Sequence, residues 1–170
     1  MKPSPTDPVA WNAYLAEGNA KQARKRVSAD VIIRNSAGHV LVVNPTYKEG
    51  WDLPGGMAEA NEPPHEAAAR ELREELGLEI TIRSLLVADW VPPHGPWDDQ
   101  LAFIFDACLV GGTDEAGLRP RDDELSEAVF LPGDEIPDLL RPRLRDRFGA
   151  ALRALADDRT RYLHNGREPW

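Results

Sequence analysis

Hydrophobic positions change their period several times along this chain, and each change marks an element. Over residues 9–25, Trp11, Tyr14 and Leu15 fall at helical spacing, which predicts a helix weakened at Gly18. At Val27 the period drops to two. Val27, Ala29, Val31 and Ile33 alternate with Ser28, Asp30 and Arg34, a strand with one imperfect step. Asn35-Ser36-Ala37-Gly38 is turn chemistry, and residues 39–43 read as the strand returning from it. Residues 44–50 form a loop into Trp51. Pro63-Pro64 then suits the first turn of a helix over residues 65–76, with Gly77 where a glycine stop belongs. Ala69, Leu72 and Leu76 supply an apolar stripe that can pin this helix to a sheet.

Strand material returns at Ile80, Ile82 and Leu85-Leu86-Val87, and three prolines and a glycine break it over residues 92–99. The run 101–110 is the clearest buried strand. Residues 111–123 form a Gly- and acid-rich loop, residues 127–131 a short strand, and residues 133–140 a short helical turn. A terminal helix over 142–156 carries Leu144, Phe148, Leu152 and Leu155 on one side. The order implies an α+β fold, a mixed sheet with helices on both sides. At 170 residues one domain is expected: a leader and helix packed on the domain over 1–26, the domain itself over 27–156, and a polar tail or homodimer arm over 157–170.

Composition narrows the functions. A net charge of −9 argues against a general grip on a nucleic-acid polymer, yet a divalent cation can reverse the sign locally for a small nucleotide. The single cysteine, Cys108, allows no internal disulfide and reads as buried and inert. The first residues lack the apolar core of a signal peptide, and no apolar run approaches membrane-spanning length. A soluble, cytoplasmic protein with no membrane partner is the expectation.

The candidate chemistry lies on the second helix. Glu71, Glu74 and Glu75 stand at i, i+3 and i+4 and share a face, where like charges gain nothing unless a cation sits there. Carboxylate oxygens suit a hard cation such as Mg²⁺. A solvated Glu- and Arg-rich surface helix would explain Glu-Leu-Arg-Glu-Glu alone equally well. Gly55-Gly56 permits close backbone approach to a phosphate or metal. Trp51, Trp90 and Trp97 are candidates for substrate stacking, although Trp90, His94 and Trp97 could equally close a loop over the core. The cluster Lys21, Arg24, Lys25 and Arg26 reads as a solvated, dipole-matched helix end. Arg141, Arg143, Arg145 and Arg147 read as a solvated helix face, and His39 as an exposed strand residue.

The wider pattern decides between these readings. Gly56, Glu62, Arg70, Glu71, Leu72, Glu74, Glu75, Gly77 and Leu78 fill every fixed position of a Gly-x5-Glu-x7-Arg-Glu-aliphatic-x-Glu-Glu-x-Gly-aliphatic signature. The stretch resembles the Nudix hydrolase family over roughly residues 27–140, and Trp51-Asp52-Leu53-Pro54-Gly55 looks like the run that leads into that signature. The resemblance implies an α/β/α sandwich with a loop-helix-loop catalytic motif, and hydrolysis within the diphosphate of a small nucleotide. It implies Mg²⁺, with Mn²⁺ as the alternative, held by Glu71, Glu74, Glu75 and the Gly56 carbonyl. Arg70 should brace Glu62. The general base is left between Glu71 and Glu124, the latter six positions before Phe130, a spacing found in several relatives. Pro93 stands fifteen residues beyond Leu78, as in some members that cut ADP-ribose. ADP-ribose or a related sugar nucleotide therefore leads, ahead of a nucleoside triphosphate. A non-catalytic nucleotide-sensing module need not keep the three glutamates. A calcium-stabilised helix leaves Gly56, Glu62 and Arg70 unexplained.

Overall fold

A computed structural model describes residues 2–110 and 117–170. In chain order the elements are α1 (Pro8–Ala20), β1 (Arg26–Ile33), β2 (Val40–Pro45), β3 (Gly55–Met57) and α2 (Pro64–Leu76), then β4 (Ile80–Val91), β5 (Gln100–Leu109), β6 (Leu125–Leu131), α3 (Pro142–Asp157) and β7 (Arg161–His164). Five strands form a mixed sheet in the order β3-β1-β5-β4-β7. β1 runs parallel to β5 and antiparallel to β3, while β4 runs antiparallel to β5 and parallel to β7.

The alternation along β1 divides the core in two. Ala29, Val31 and Ile33 pack with Ala68, Leu72 and Leu76 of α2. Ile32 packs on the opposite side with Phe148, Ala150 and Ala151 of α3. An apolar period of two on a strand therefore meets an apolar stripe on each covering helix, which is the expected α+β sandwich. The pinning stripe of α2 runs through Ala68 rather than Ala69, which is only half-buried.

Several elements differ from the sequence reading. β2 does not return as a hairpin partner of β1; a single bridge, Arg34 to Val40, links them, and β2 pairs with β6 in a separate two-stranded sheet. Val40 and Val42 face one core layer and Leu41 and Val43 the other, so this strand needs cover on both faces. The expected packing of α1 on the domain is weak, because none of its residues is buried and Val9, Tyr14 and Leu15 are exposed. Trp11 instead meets Tyr14 of its own helix in a tilted ring contact, centroids 5.7 Å apart. Cys108 is half-buried, its thiol donating weakly to the Thr81 carbonyl at 3.8 Å. Part of the acidic loop expected at 111–123 lies outside the described residues.

The largest difference is at the C-terminus. Residues 157–170 contain β7, which pairs along Val87–Trp90 of β4 and buries Leu163 completely. Asn165 N–H then donates to the Trp90 carbonyl (2.9 Å), and Gly166 N–H donates to both carboxylate oxygens of the buried Asp89 (3.1 Å each). Leu163→Ala should cost about 2–5 kcal/mol through the lost transfer energy and the cavity left behind. A denaturant titration checks this, and an unchanged midpoint would mean that the segment is the loose tail its composition suggests.

Candidate functional site

The helix that carries the acids begins at two prolines and ends at Gly77, whose N–H caps the Arg73 carbonyl at 3.1 Å while Leu78 N–H reaches Leu72 at 3.1 Å. Because Ala68, Leu72 and Leu76 face the sheet, the three glutamates are graded in exposure. The Glu74 side chain is 58% exposed, that of Glu71 19%, and Glu75 is buried. They share a helix side as expected, but only Glu71 and Glu75 turn inward.

Arg70 organises this side. Its Nε and Nη2 donate to the two Glu62 oxygens at 2.9 and 3.0 Å, a parallel fork, and Nη2 also reaches the Met57 carbonyl at 3.1 Å. The Arg70 fork and the Glu59 N–H (2.8 Å) hold the Glu62 carboxyl down to about 2. The same guanidinium does more than brace the loop. Its Nη1 donates to Glu71 Oε1 at 3.0 Å and to Glu74 Oε2 at 3.1 Å, and this set of partners keeps Arg70 firmly charged.

Glu75 has no such partner. Its Oε2 is buried with no hydrogen bond, and burial first, then the charges of Glu71, Asp122 and Glu124, push its carboxyl up to about 8 against the pull of Lys48. Burial also raises Glu71, opposed by Arg70. Gly56 lies against Glu71, where a Cβ would stand 2.6 Å from its Cδ, so the backbone there approaches the carboxylate closely. Thr46 pins the loop of Glu124, its N–H donating to the Glu124 carbonyl at 2.8 Å and its hydroxyl to that of Asp123 at 2.7 Å. Glu124 is thereby held within electrostatic reach of Glu71 and Glu75.

Among the described residues no three His, Cys, Asp or Glu side chains are already arranged to hold a metal, since Arg70 bridges Glu71 and Glu74. The donor set nevertheless fits a hard divalent cation. An orphaned buried carboxylate oxygen, a second desolvated carboxylate and an adjacent glycine backbone form an all-oxygen environment with uncompensated negative charge.

A cavity of about 720 Å³ opens beside these groups, with Gly55, Gly56 and Glu75 in its wall together with Asp30, Lys48 and Asp52. Of the three tryptophans, only Trp97 lines it, with Arg26 over its ring at 4.5 Å. Trp51 packs against the core. Trp90 donates from Nε1 to Asp99 at 2.8 Å and meets His164 edge-on. Sequence reasoning missed two sets of cavity residues. Arg141, Arg143 and Arg147 line the cavity, and Arg147 is buried, so the start of α3 is not simply a solvated face. Arg26 belongs to β1 and the cavity rather than to the end of α1, which stops at Ala20. Asp30, half-buried on β1, carried no signal, because it falls at an expected polar position of the strand alternation. Burial, with the Asp52 charge, raises its carboxyl to about 7.

The family description NUDIX domain matches residues 24–152. The chain belongs to the Nudix family. It is 32% identical over 115 residues to an ADP-ribose pyrophosphatase of Methanocaldococcus jannaschii, covering 66% of this chain and 65% of that protein. It is 36% identical over 108 residues to a CMP-5'-(N-acetyl-N-hydroxy-3-aminopropyl)phosphonate hydrolase of Streptomyces rubellomurinus, covering 63% of this chain and 50% of that one. The chain thus spans half to just under two thirds of these relatives. Among solved structures, a UDP-X diphosphatase superposes with a TM-score of 0.72 over 95% of this chain and 76% of its own, at 19% identity, a likeness of Nudix fold. The family match takes in most of α3 and leaves β7 outside it.

Two expectations follow for the metal-free protein. Asp30 and Glu75 hold protons up to about 7 and about 8 when folded, against ordinary values of 3.8 and 4.5. Within that window the unfolded chain binds fewer protons, so stability should fall as pH rises from about 4.5 to about 8. Thermal melts across the range in chelator check the sign; a melting temperature that climbs with pH refutes it. Arg70→Ala should lower the melting temperature by stranding Glu62, and Arg70→Lys should recover only part of the loss, because an ammonium cannot form the fork. Unchanged melting in both variants would remove the brace.

Proposed function

We propose that this Nudix protein is a divalent-metal-dependent pyrophosphohydrolase that cleaves within the diphosphate of a nucleoside diphosphate derivative, with ADP-ribose or a related sugar nucleotide favoured. The observation that carries the reading is the buried, partnerless Glu75 oxygen beside Glu71 and Gly56 at the wall of a substrate-sized cavity. The relative in Methanocaldococcus jannaschii named as an ADP-ribose pyrophosphatase, and the place of Pro93, support the choice of substrate.

Glu71, Glu74, Glu75 and the Gly56 carbonyl would hold Mg²⁺, or Mn²⁺ in its place. When bound, the ion offsets phosphoryl charge and makes a water easier to deprotonate. The chain's own residues do the rest. Arg70 and Glu62 set the angle of the loop against α2, so that Glu71 lies against Gly56 while Glu75 lines the cavity. Arg70 also gives up Glu74 and Glu71 at little cost, since its fork to Glu62 remains. Lys48, which acts on Glu75 and lines the cavity, is placed to meet phosphoryl oxygens. Glu71 or Glu124 accepts the proton of the attacking water. The water oxygen bonds to one phosphorus while the bridging oxygen leaves with the other, giving two monophosphates. The substrate is a small nucleotide, and the lone thiol Cys108 suits the cytoplasm, where such compounds are made.

Incubation with Mg²⁺ and ADP-ribose should yield AMP and ribose 5-phosphate, identified by mass. Faster release of pyrophosphate from a nucleoside triphosphate would shift the substrate to the second candidate, and no turnover of any diphosphate compound would end the reading. Chelator should abolish turnover while leaving the protein folded. Glu75→Gln should lower kcat by orders of magnitude without lowering the melting temperature, since it removes a buried charge and keeps the shape. Glu124→Gln should depress kcat about a hundredfold and remove the acidic limb of the pH–rate profile, if Glu124 is the base. Activity retained in Glu124→Gln but lost in Glu71→Gln assigns the base to α2.

A further inference from the structure

The cavity has two chemically different ends. The charges acting on Glu75 come from Glu71, Asp122, Glu124 and Lys48, and those acting on Asp30 from Asp52, Arg147, Lys48 and Arg141. Lys48 alone belongs to both sets and marks the boundary. One end is acidic and suits a metal and a diphosphate; the other mixes both signs.

At the mixed end a hydrogen-bond donor and an acceptor stand idle. Asp30 shares its strand face with Ile32, which packs against α3, and its carboxylate accepts no hydrogen bond from the described residues although it lines the cavity. Arg147 is 8% exposed, and among the described residues it hydrogen-bonds only through Nε, to Asp89 Oδ2 at 3.0 Å. Asp89 is itself fully buried and receives Gly166 N–H on both oxygens. The guanidinium is therefore fixed from behind, by a carboxylate that the C-terminal turn holds, and its two amino groups remain for the cavity. A buried arginine kept only as counter-ion to Asp89 would not account for its place in the cavity wall or for the idle Asp30 beside it.

What such a pair recognises follows from its chemistry. Above about pH 7, where Asp30 is ionised, a further phosphate would meet Arg147 favourably but would press its charge against Asp30. A group that donates and accepts at neighbouring atoms satisfies both, and neutral hydroxyls do so. We propose that Asp30 and Arg147 form a subsite for the hydroxylated, uncharged moiety attached to the second phosphate, a sugar, with Asp89 and Gly166 positioning Arg147. The assignment rests on the reading that the acidic end holds the diphosphate. It makes residues 161–167, outside the family match, part of the binding site through Asp89.

The test is equilibrium binding by calorimetry with Ca²⁺ in place of Mg²⁺, so that the acidic end is neutralised, with the ligands checked by mass for cleavage. The wild type should bind ADP-ribose more tightly than ADP, which ends in a phosphate. Asp30→Ala and Arg147→Gln should each weaken ADP-ribose roughly tenfold, the scale of a lost hydrogen bond to a charged group, and leave ADP within about twofold. Asp89→Asn should reproduce the Arg147 effect in part. Should Arg147→Gln fail to fold, Asp30→Ala still decides, since its side chain is half-buried and lines the cavity. Equal loss for both ligands, no loss, or no preference of the wild type for ADP-ribose overturns the subsite. A protein that binds ADP-ribose in this pattern without hydrolysing it with Mg²⁺ overturns the proposed activity and leaves the subsite standing. Hydrolysis with unaltered variant affinities does the reverse.

Discussion

Two glycines set the geometry on which the site depends. β3 is a three-residue strand, Gly55, Gly56 and Met57, in register with Asp30, Ala29 and Ser28 of β1. Gly55 has φ +140°, and a Cβ there would run into the Ala29 carbonyl; one at Gly56 would run into the Glu71 carboxylate. The backbone is therefore pressed between β1 on one side and α2 on the other. Hydrogen bonds from Val31 N–H to the Pro54 carbonyl and from Ala58 N–H to the Val27 carbonyl, both 2.9 Å, fasten it at either end. Any side chain in this gap would push α2 away from β1 and undo the packing of Leu72, which is fully buried. The distance between the acidic helix and the sheet edge is thus a backbone distance, and it defines one wall of the cavity.

Holding acids at that wall opposes stability. A carboxylate such as Glu75, buried without a hydrogen bond, carries a desolvation cost of about 1–3 kcal/mol or more, and its neighbours Glu71 and Glu124 add repulsion. The opposing terms sit on the other side of the same helix. Burial of Leu72 and Leu76 contributes about 1.5–3 kcal/mol each, and the Arg70 fork ties the loop to the helix without using either inward glutamate fully. The apolar stripe anchors the helix, so the polar stripe is free to be electrostatically unfavourable until a cation arrives. This division of labour is a common feature of functional sites, where local rules are broken against support from elsewhere.

What the sequence showed depended on how local the cause was. α2, its proline start and its Gly77 stop were legible because helical period and capping act within a few residues. The roles of Gly56, Glu62 and Arg70 were legible because fixed spacings carried them. The shift of the stripe from Ala69 to Ala68 escaped notice because alanines at 67, 68 and 69 give the period no contrast. β2 was read as a hairpin return because the turn is local, whereas its true partner β6 is about eighty residues away in the register Val43 to Ala128. β7 was missed because only Leu163 of its four residues is buried. Arg147 was grouped with Arg141, Arg143 and Arg145 because arginines in one helix look alike; what distinguishes it is Asp89, 58 residues earlier.

The same non-local logic explains how an acidic protein can receive an acidic ligand. A net charge of −9 repels an approaching diphosphate, but at physiological ionic strength that field decays within about 8 Å. Inside the cavity local composition governs, and Arg26, Lys48, Arg141, Arg143 and Arg147 outnumber Asp30, Asp52 and Glu75 along its wall. Three of these cations are already committed: Lys48 and Arg141 both pair with Asp52, and Arg147 pairs with Asp89. The wall is consequently close to balanced rather than strongly positive. A balanced wall attracts a polyanion weakly and distinguishes ligands by where their donors, acceptors and charges fall. Selectivity then comes from placement, as in Arg147 fixed by Asp89, more than from the total charge of the cavity.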